Sequence, residues 1–84
     1  MSYMELTVDE IRKIRTNSDV SLGDAIQAEV FRLKGSMVKH SRYGVLLTAE
    51  GGRQGVFGSS MGKWFTNGFM QDFQAKRIAS KINS

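Results

Sequence analysis

The sequence contains no cysteine, and that single absence removes disulfides, thiolate metal sites, thiol nucleophiles and dithiol redox motifs together. Proline is missing too, and no low-complexity tract, linker or internal repeat interrupts the chain. The one histidine, His40, cannot form a zinc site without borrowing carboxylates, and it reads as an ordinary surface residue. No apolar run approaches the ~18 residues of a membrane span. The opening residues Met1 to Glu5 have neither the basic nor the apolar region of a secretory signal. These absences lead to the expectation of a cytoplasmic protein with no membrane span.

Catalytic patterns are missing as well. There is no pair of acids at a meaningful spacing, no base beside a nucleophile and no acid-and-histidine cluster. Asp9 and Glu10 are accounted for by a helix start, and Ser59-Ser60 has no base near it in sequence. The expectation is a binding protein rather than an enzyme, with no cofactor.

What is present fits a small globular domain. With 40% hydrophobic and 24% charged residues, the chain lies outside the low-hydrophobicity, high-charge regime of disorder. Its 84 residues have room for one core, so residues 1–84 are expected to form a single domain. Domains of this size bury only ~60% of the surface of the unfolded chain, so they often lean on a partner subunit. A homodimer is therefore among the expected states.

Charge is unevenly placed. Residues 1–31 hold six acids against three bases, giving −3, while residues 32–84 hold nine bases against Glu50 and Asp72, giving +7. Such asymmetry points to an anionic partner for the basic part.

The clearest local signal is Thr7-Val8-Asp9-Glu10, a capping box in which Thr7 and Glu10 satisfy each other's backbone amides. Leu6 and Ile11 flank it as a hydrophobic staple. A first helix is expected from Val8 to Thr16, burying Val8, Ile11 and Ile14. After Asn17-Ser18-Asp19, a cap at Ser18 or Ser21 and the spacing of Leu22, Ile26, Val30 and Leu33 predict a second helix. Residues 6–30 thus invite comparison with helix-turn-helix DNA readers, without the short glycine turn that sets off a recognition helix.

Tyr43 to Thr48 and Gln54 to Phe57 surround Gly51-Gly52 and read as a β-hairpin. Lys63 to Thr66 is either a third strand or the start of the last helix. Phe69, Phe73, Ala75, Ile78, Ala79 and Ile82 predict a terminal helix from Phe69 to Ile82, with Asn67 as its cap. The expected architecture is α+β: two N-terminal helices, a glycine-rich hairpin of two or three short strands, and a C-terminal helix.

Six of the nine glycines fall between residues 51 and 68, where clustered amides suit a phosphate. The Walker A pattern fails there, because Gly58 to Lys63 is one residue short and Trp64 stands where the magnesium-binding hydroxyl belongs. Gly52-Arg53-Gln54-Gly55 has the GxxG spacing of KH domains, but a strand precedes it where that family has a helix. The leading reading is a hairpin turn and flexible loop, with an anion-binding loop as the alternative.

Arg32, Lys34, Lys39, His40 and Arg42 form a basic run beside Tyr43, and Lys76, Arg77 and Lys81 extend it. Cations of this kind meet phosphates, and aromatics among them allow base stacking. The leading expectation is a small basic module that contacts nucleic acid through phosphates with little sequence preference. Arg32, Lys34, Lys39, Arg42, Arg53 and Lys63 supply the charge, with Tyr43, Phe57 or Trp64 to stack, and the glycine loop lets its amides approach the backbone. The rival expectation is a protein-binding regulator or inhibitor, such as a small viral or mobile-element product. Its interface would be the aromatic segment 64–73, with Trp64, Phe65, Phe69 and Phe73 as anchors.

Overall fold

The computed structural model describes residues 3–36, 41–58 and 68–84. In chain order these form strand β1 (Met4–Leu6), helix α1 (Val8–Asn17), strands β2 (Gln27–Leu33), β3 (Tyr43–Thr48) and β4 (Gln54–Phe57), and helix α2 (Asp72–Asn83). The strands make one sheet in the order β1-β2-β3-β4. β1 runs parallel to β2, and the other two pairings are antiparallel.

The capping box forms as the sequence predicts. The Glu10 amide donates to Thr7 Oγ1 at 3.1 Å, and the Thr7 amide donates to Glu10 Oε1 at 2.8 Å. This fixes the corner between β1 and α1, because strand and helix are separated by Thr7 alone. α1 is then the crossover that a parallel β1–β2 pair requires.

The two helices cover opposite faces of the sheet. Residues of β2 alternate between the two, as successive strand side chains must. Phe31 and Leu33 join Leu6, Ile11, Leu46, Val56 and Phe69 in the cluster under α1. Ala28 and Val30 join Val45, Leu47, Ala75 and Ala79 under α2. Each layer is thin, and small residues make close approach possible. Gly44 is paired with Phe31, whose ring lies over it: a Cβ on Gly44 would fall 2.7 Å from the ring's Cζ. Phe69 meets the same ring edge-on, with centroids 6.3 Å apart.

The second N-terminal helix expected from the sequence is not formed: its C-terminal half is β2. A strand buried on both faces carries apolar residues on both, so it loses the simple alternation that identifies a half-exposed strand. Val30 and Leu33 are inward in either reading, but Ile26, which a helix would have buried, is 64% exposed. Only a single 3₁₀ turn, Leu22–Asp24, remains of the helical signal, and the comparison with helix-turn-helix proteins lapses with it. Nothing in the sequence marks the strand β1. Three residues are too few to show a period, and their partner lies far downstream.

The hairpin is present, with β3 and β4 joined through a turn in which Gly51 and Gly52 take φ of 85° and 82°. The terminal helix starts at Asp72, later than expected, because Met70 is held as a bridge against Tyr43. The Gln71 amide donates to Gln74 Oε1 at 3.0 Å at the start of α2. The proposed cap Asn67 and the Lys63 to Thr66 segment lie outside the described residues.

Both sheet edges receive side-chain or loop partners. Along β4, Ser18 Oγ donates to the Gln54 carbonyl at 2.8 Å and accepts from its amide at 3.1 Å. The Val20 amide donates to the same carbonyl at 3.0 Å. Arg15 donates to the Val56 carbonyl at 3.1 Å. This covering leaves β4 a poor template for another strand. On the other side, β1 reaches only Phe31 to Leu33. Upstream of it the Asn83 side chain takes a strand's place, accepting from the Ala28 amide at 2.9 Å and donating to its carbonyl at 2.8 Å.

Candidate nucleic-acid interface

Three of the predicted cations converge at one end of the sheet. Arg32 stands near the end of β2, Lys34 just beyond it, and Arg42 immediately before β3. The antiparallel register aligns them, with Arg32 opposite Tyr43 and the Leu33 amide donating to the Arg42 carbonyl at 2.7 Å. Lys34 is exposed, whereas Arg32, Arg42 and Tyr43 are half-buried.

Arg32 is not a bare charge. It lies opposite Glu5 in the parallel β1–β2 register, and both its Nε, at 3.0 Å, and its Nη2 donate to Glu5 Oε2. The guanidinium holds the Glu5 carboxyl below its ordinary value of 4.5, first through this hydrogen bond and then through its charge. In return Glu5 raises the Arg32 value further. Both groups are thus ionised at neutral pH, and their mutual field is partly cancelled at the surface.

An aromatic pair adjoins the cations. Tyr3 meets Tyr43 edge-on, with ring centroids 5.0 Å apart. Lys76 of α2 lies over the Tyr3 ring, its Nζ 5.4 Å from the centroid. Its interaction with Tyr3, hydrogen bond first, holds the ammonium above the ordinary lysine value of 10.5. The Tyr3 hydroxyl donates a long hydrogen bond to Asp72 Oδ2 at 3.4 Å. This network joins the start of α2 to β1 and β3, and it makes Lys76 part of the basic end of the sheet. No sequence signal points to Tyr3 or its tie to Lys76, since only the pairing of β1 brings Tyr3 there.

The remaining predicted residues are distributed otherwise. Arg53 is exposed at the opposite end of β3, beside the hairpin turn, with its Nε donating to the Glu50 carbonyl at 3.4 Å. Lys39, Lys63, Trp64 and Phe65 lie outside the described residues. Phe69 is only 7% exposed and packs on Phe31, so it belongs to the core. Phe73 is 50% exposed on α2, with the Arg77 guanidinium 5.9 Å from its ring centroid.

Among the described residues no group of three acidic or histidine side chains is placed to hold a metal, and no helix is long and apolar enough to cross a membrane. Comparison with known protein families, curated proteins and solved structures finds no match.

Proposed function

We propose that this protein is a small basic module that binds nucleic acid chiefly through its phosphates. The reading is supported above all by the convergence of Arg32, Lys34 and Arg42 at the end of the sheet where α2 begins, with Lys76 drawn in through Tyr3. Glu5 and Asp72 are the acids tied into this group. Phosphate contacts position a protein without carrying sequence information, so little base preference is expected. The lack of cysteine suits a cytoplasmic setting.

A titration of binding to random-sequence DNA and RNA against salt tests this. Affinity should fall steeply, with log K linear in log salt and a slope of about −0.9 per phosphate neutralised. Binding that is insensitive to salt, or absent at low salt, overturns the proposal.

A second reading is carried by Phe73. A half-exposed phenylalanine on an otherwise polar helix face is the type of anchor that protein interfaces use. Under this reading the chain is a protein-binding regulator, and Phe73→Ser abolishes capture of its partner while leaving nucleic acid irrelevant to it.

A further inference from the structure

Resting on the nucleic-acid reading, we infer that the ligand is duplex DNA and that α2 is the element that enters its major groove. The two helices differ in what they turn outward. Exposed residues of α1 carry both signs, Asp9 and Glu10 against Arg12 and Lys13, with Asp9 and Arg12 3.9 Å apart. Along α2 the one acid, Asp72, is half-buried at the first position and accepts from the Tyr3 hydroxyl, and the exposed charged residues are all cations, Lys76, Arg77 and Lys81. A polyanion therefore finds its complement on α2.

The arrangement of those residues suits a groove better than a flat contact. At about 100° per residue, Lys76 and Lys81 lie roughly 140° apart around the helix. Phe73 and Arg77 fall between them, and Ala75 and Ala79 occupy the buried opposite side. A B-form major groove is ~12 Å wide and admits one α-helix, with a wall of phosphates on either side. In that setting Lys76 and Lys81 each face one wall, while Arg77 faces the base edges and Phe73 is available to thymine methyl groups. The A-form major groove of duplex RNA is too narrow and deep for such a helix, so the geometry selects DNA.

The test is fluorescence anisotropy with three probes: a 20-bp random-sequence DNA duplex, its RNA duplex counterpart and one DNA strand. The DNA duplex should bind at least tenfold more tightly than the RNA duplex. Lys76→Gln with Lys81→Gln should flatten the DNA salt slope by about 1.8, two phosphates' worth. Arg12→Gln with Lys13→Gln on α1 should leave it unchanged. Arg77→Gln with Lys81→Gln, which spares the Tyr3 contact, guards against a loss caused by loosening of α2, and circular dichroism checks the fold of each variant. Equal binding to both duplexes, or folded α2 variants with an unaltered slope, overturns the inference while leaving the nucleic-acid reading intact. Absence of binding to all three probes at low salt overturns both.

Discussion

Gly55 lies directly against the backbone of Val20: a Cβ at position 55 would fall 2.2 Å from the Val20 carbonyl oxygen and 2.4 Å from its nitrogen. The contact is what lets the segment after α1 run along β4 and donate to Gln54. Backbone cannot swing aside as a side chain does, so Gly55→Ala must part the two segments. The expected cost is about 3 kcal/mol, the upper range for overpacking. Gly23 has nothing within 4 Å and no positive φ, so Gly23→Ala should change stability by less than about 0.5 kcal/mol. Urea denaturation midpoints compare the two. Equal stability of Gly55→Ala and the wild type would show that the Val20 segment is not seated on β4.

Asn83 yields a second prediction about stability. Its amide satisfies both polar backbone groups of Ala28 where β1 is too short to do so. Asn83→Ala leaves a donor and an acceptor unmet and frees the last turn of α2. A loss of about 1 to 3 kcal/mol is expected. Hydrogen exchange should show faster opening of the Ala28 amide with little change at Val45. Uniform acceleration across the sheet would mean that Asn83 acts on global stability rather than on this edge.

These contacts mark where sequence reasoning stops. The capping box, the hairpin and the body of α2 are encoded locally, by residues three or four apart or by alternation around a glycine pair, and each was readable. β1 and β2 are defined by each other across the length of α1. Neither has a local signature strong enough to reveal the pairing, and the Leu22 to Leu33 spacing satisfies a helix equally well. The candidate site shows the same division. Arg32, Lys34, Arg42 and Tyr43 are close in sequence, and the β2–β3 register keeps them close in space. Glu5 and Tyr3 reach them only through the parallel pairing, so the partial neutralisation of Arg32 was invisible. Arg53 shares only its charge with them, and the length of β3 separates it.

Stability should decline with acid for a reason that two glutamates share. The Thr7 backbone amide, and after it the Thr7 side chain, holds the folded Glu10 carboxyl below 4.5, and Arg32 does the same for Glu5. A carboxyl depressed in the folded state stabilises the protein above its unfolded value, and that contribution is lost as pH falls through the folded value. Thermal midpoints should therefore be flat from neutral pH to about pH 5 and fall below it. Glu10→Gln keeps the reach of the capping side chain without its titration. It should reduce the acid sensitivity more than it reduces the midpoint at pH 7. Thr7→Ala should cost about 1 kcal/mol at pH 7 by removing the cap itself. An acid profile identical in the wild type and in Glu10→Gln would exclude Glu10 as a contributor.

The separation of Arg53 from the other cations leads to a direct comparison. Lys34 and Arg53 are both exposed, both basic and both at strand ends, so their substitution perturbs folding little. They differ in position. β3 spans Tyr43 to Thr48 between them, about 17 Å at the usual strand rise, and this exceeds the ~8 Å screening length at physiological salt. If phosphates are gathered at the Arg32 and Arg42 end, Lys34→Gln should flatten the salt dependence of binding by about 0.9, one phosphate. Arg53→Gln should flatten it less, since its charge lies more than a Debye length from that end. The measurement is the affinity of each variant for the same DNA at four or more salt concentrations. Equal losses from the two substitutions would mean that the nucleic acid runs along the full length of β3 to the hairpin turn, and the glycines at 51 and 52 would then re-enter the contact surface.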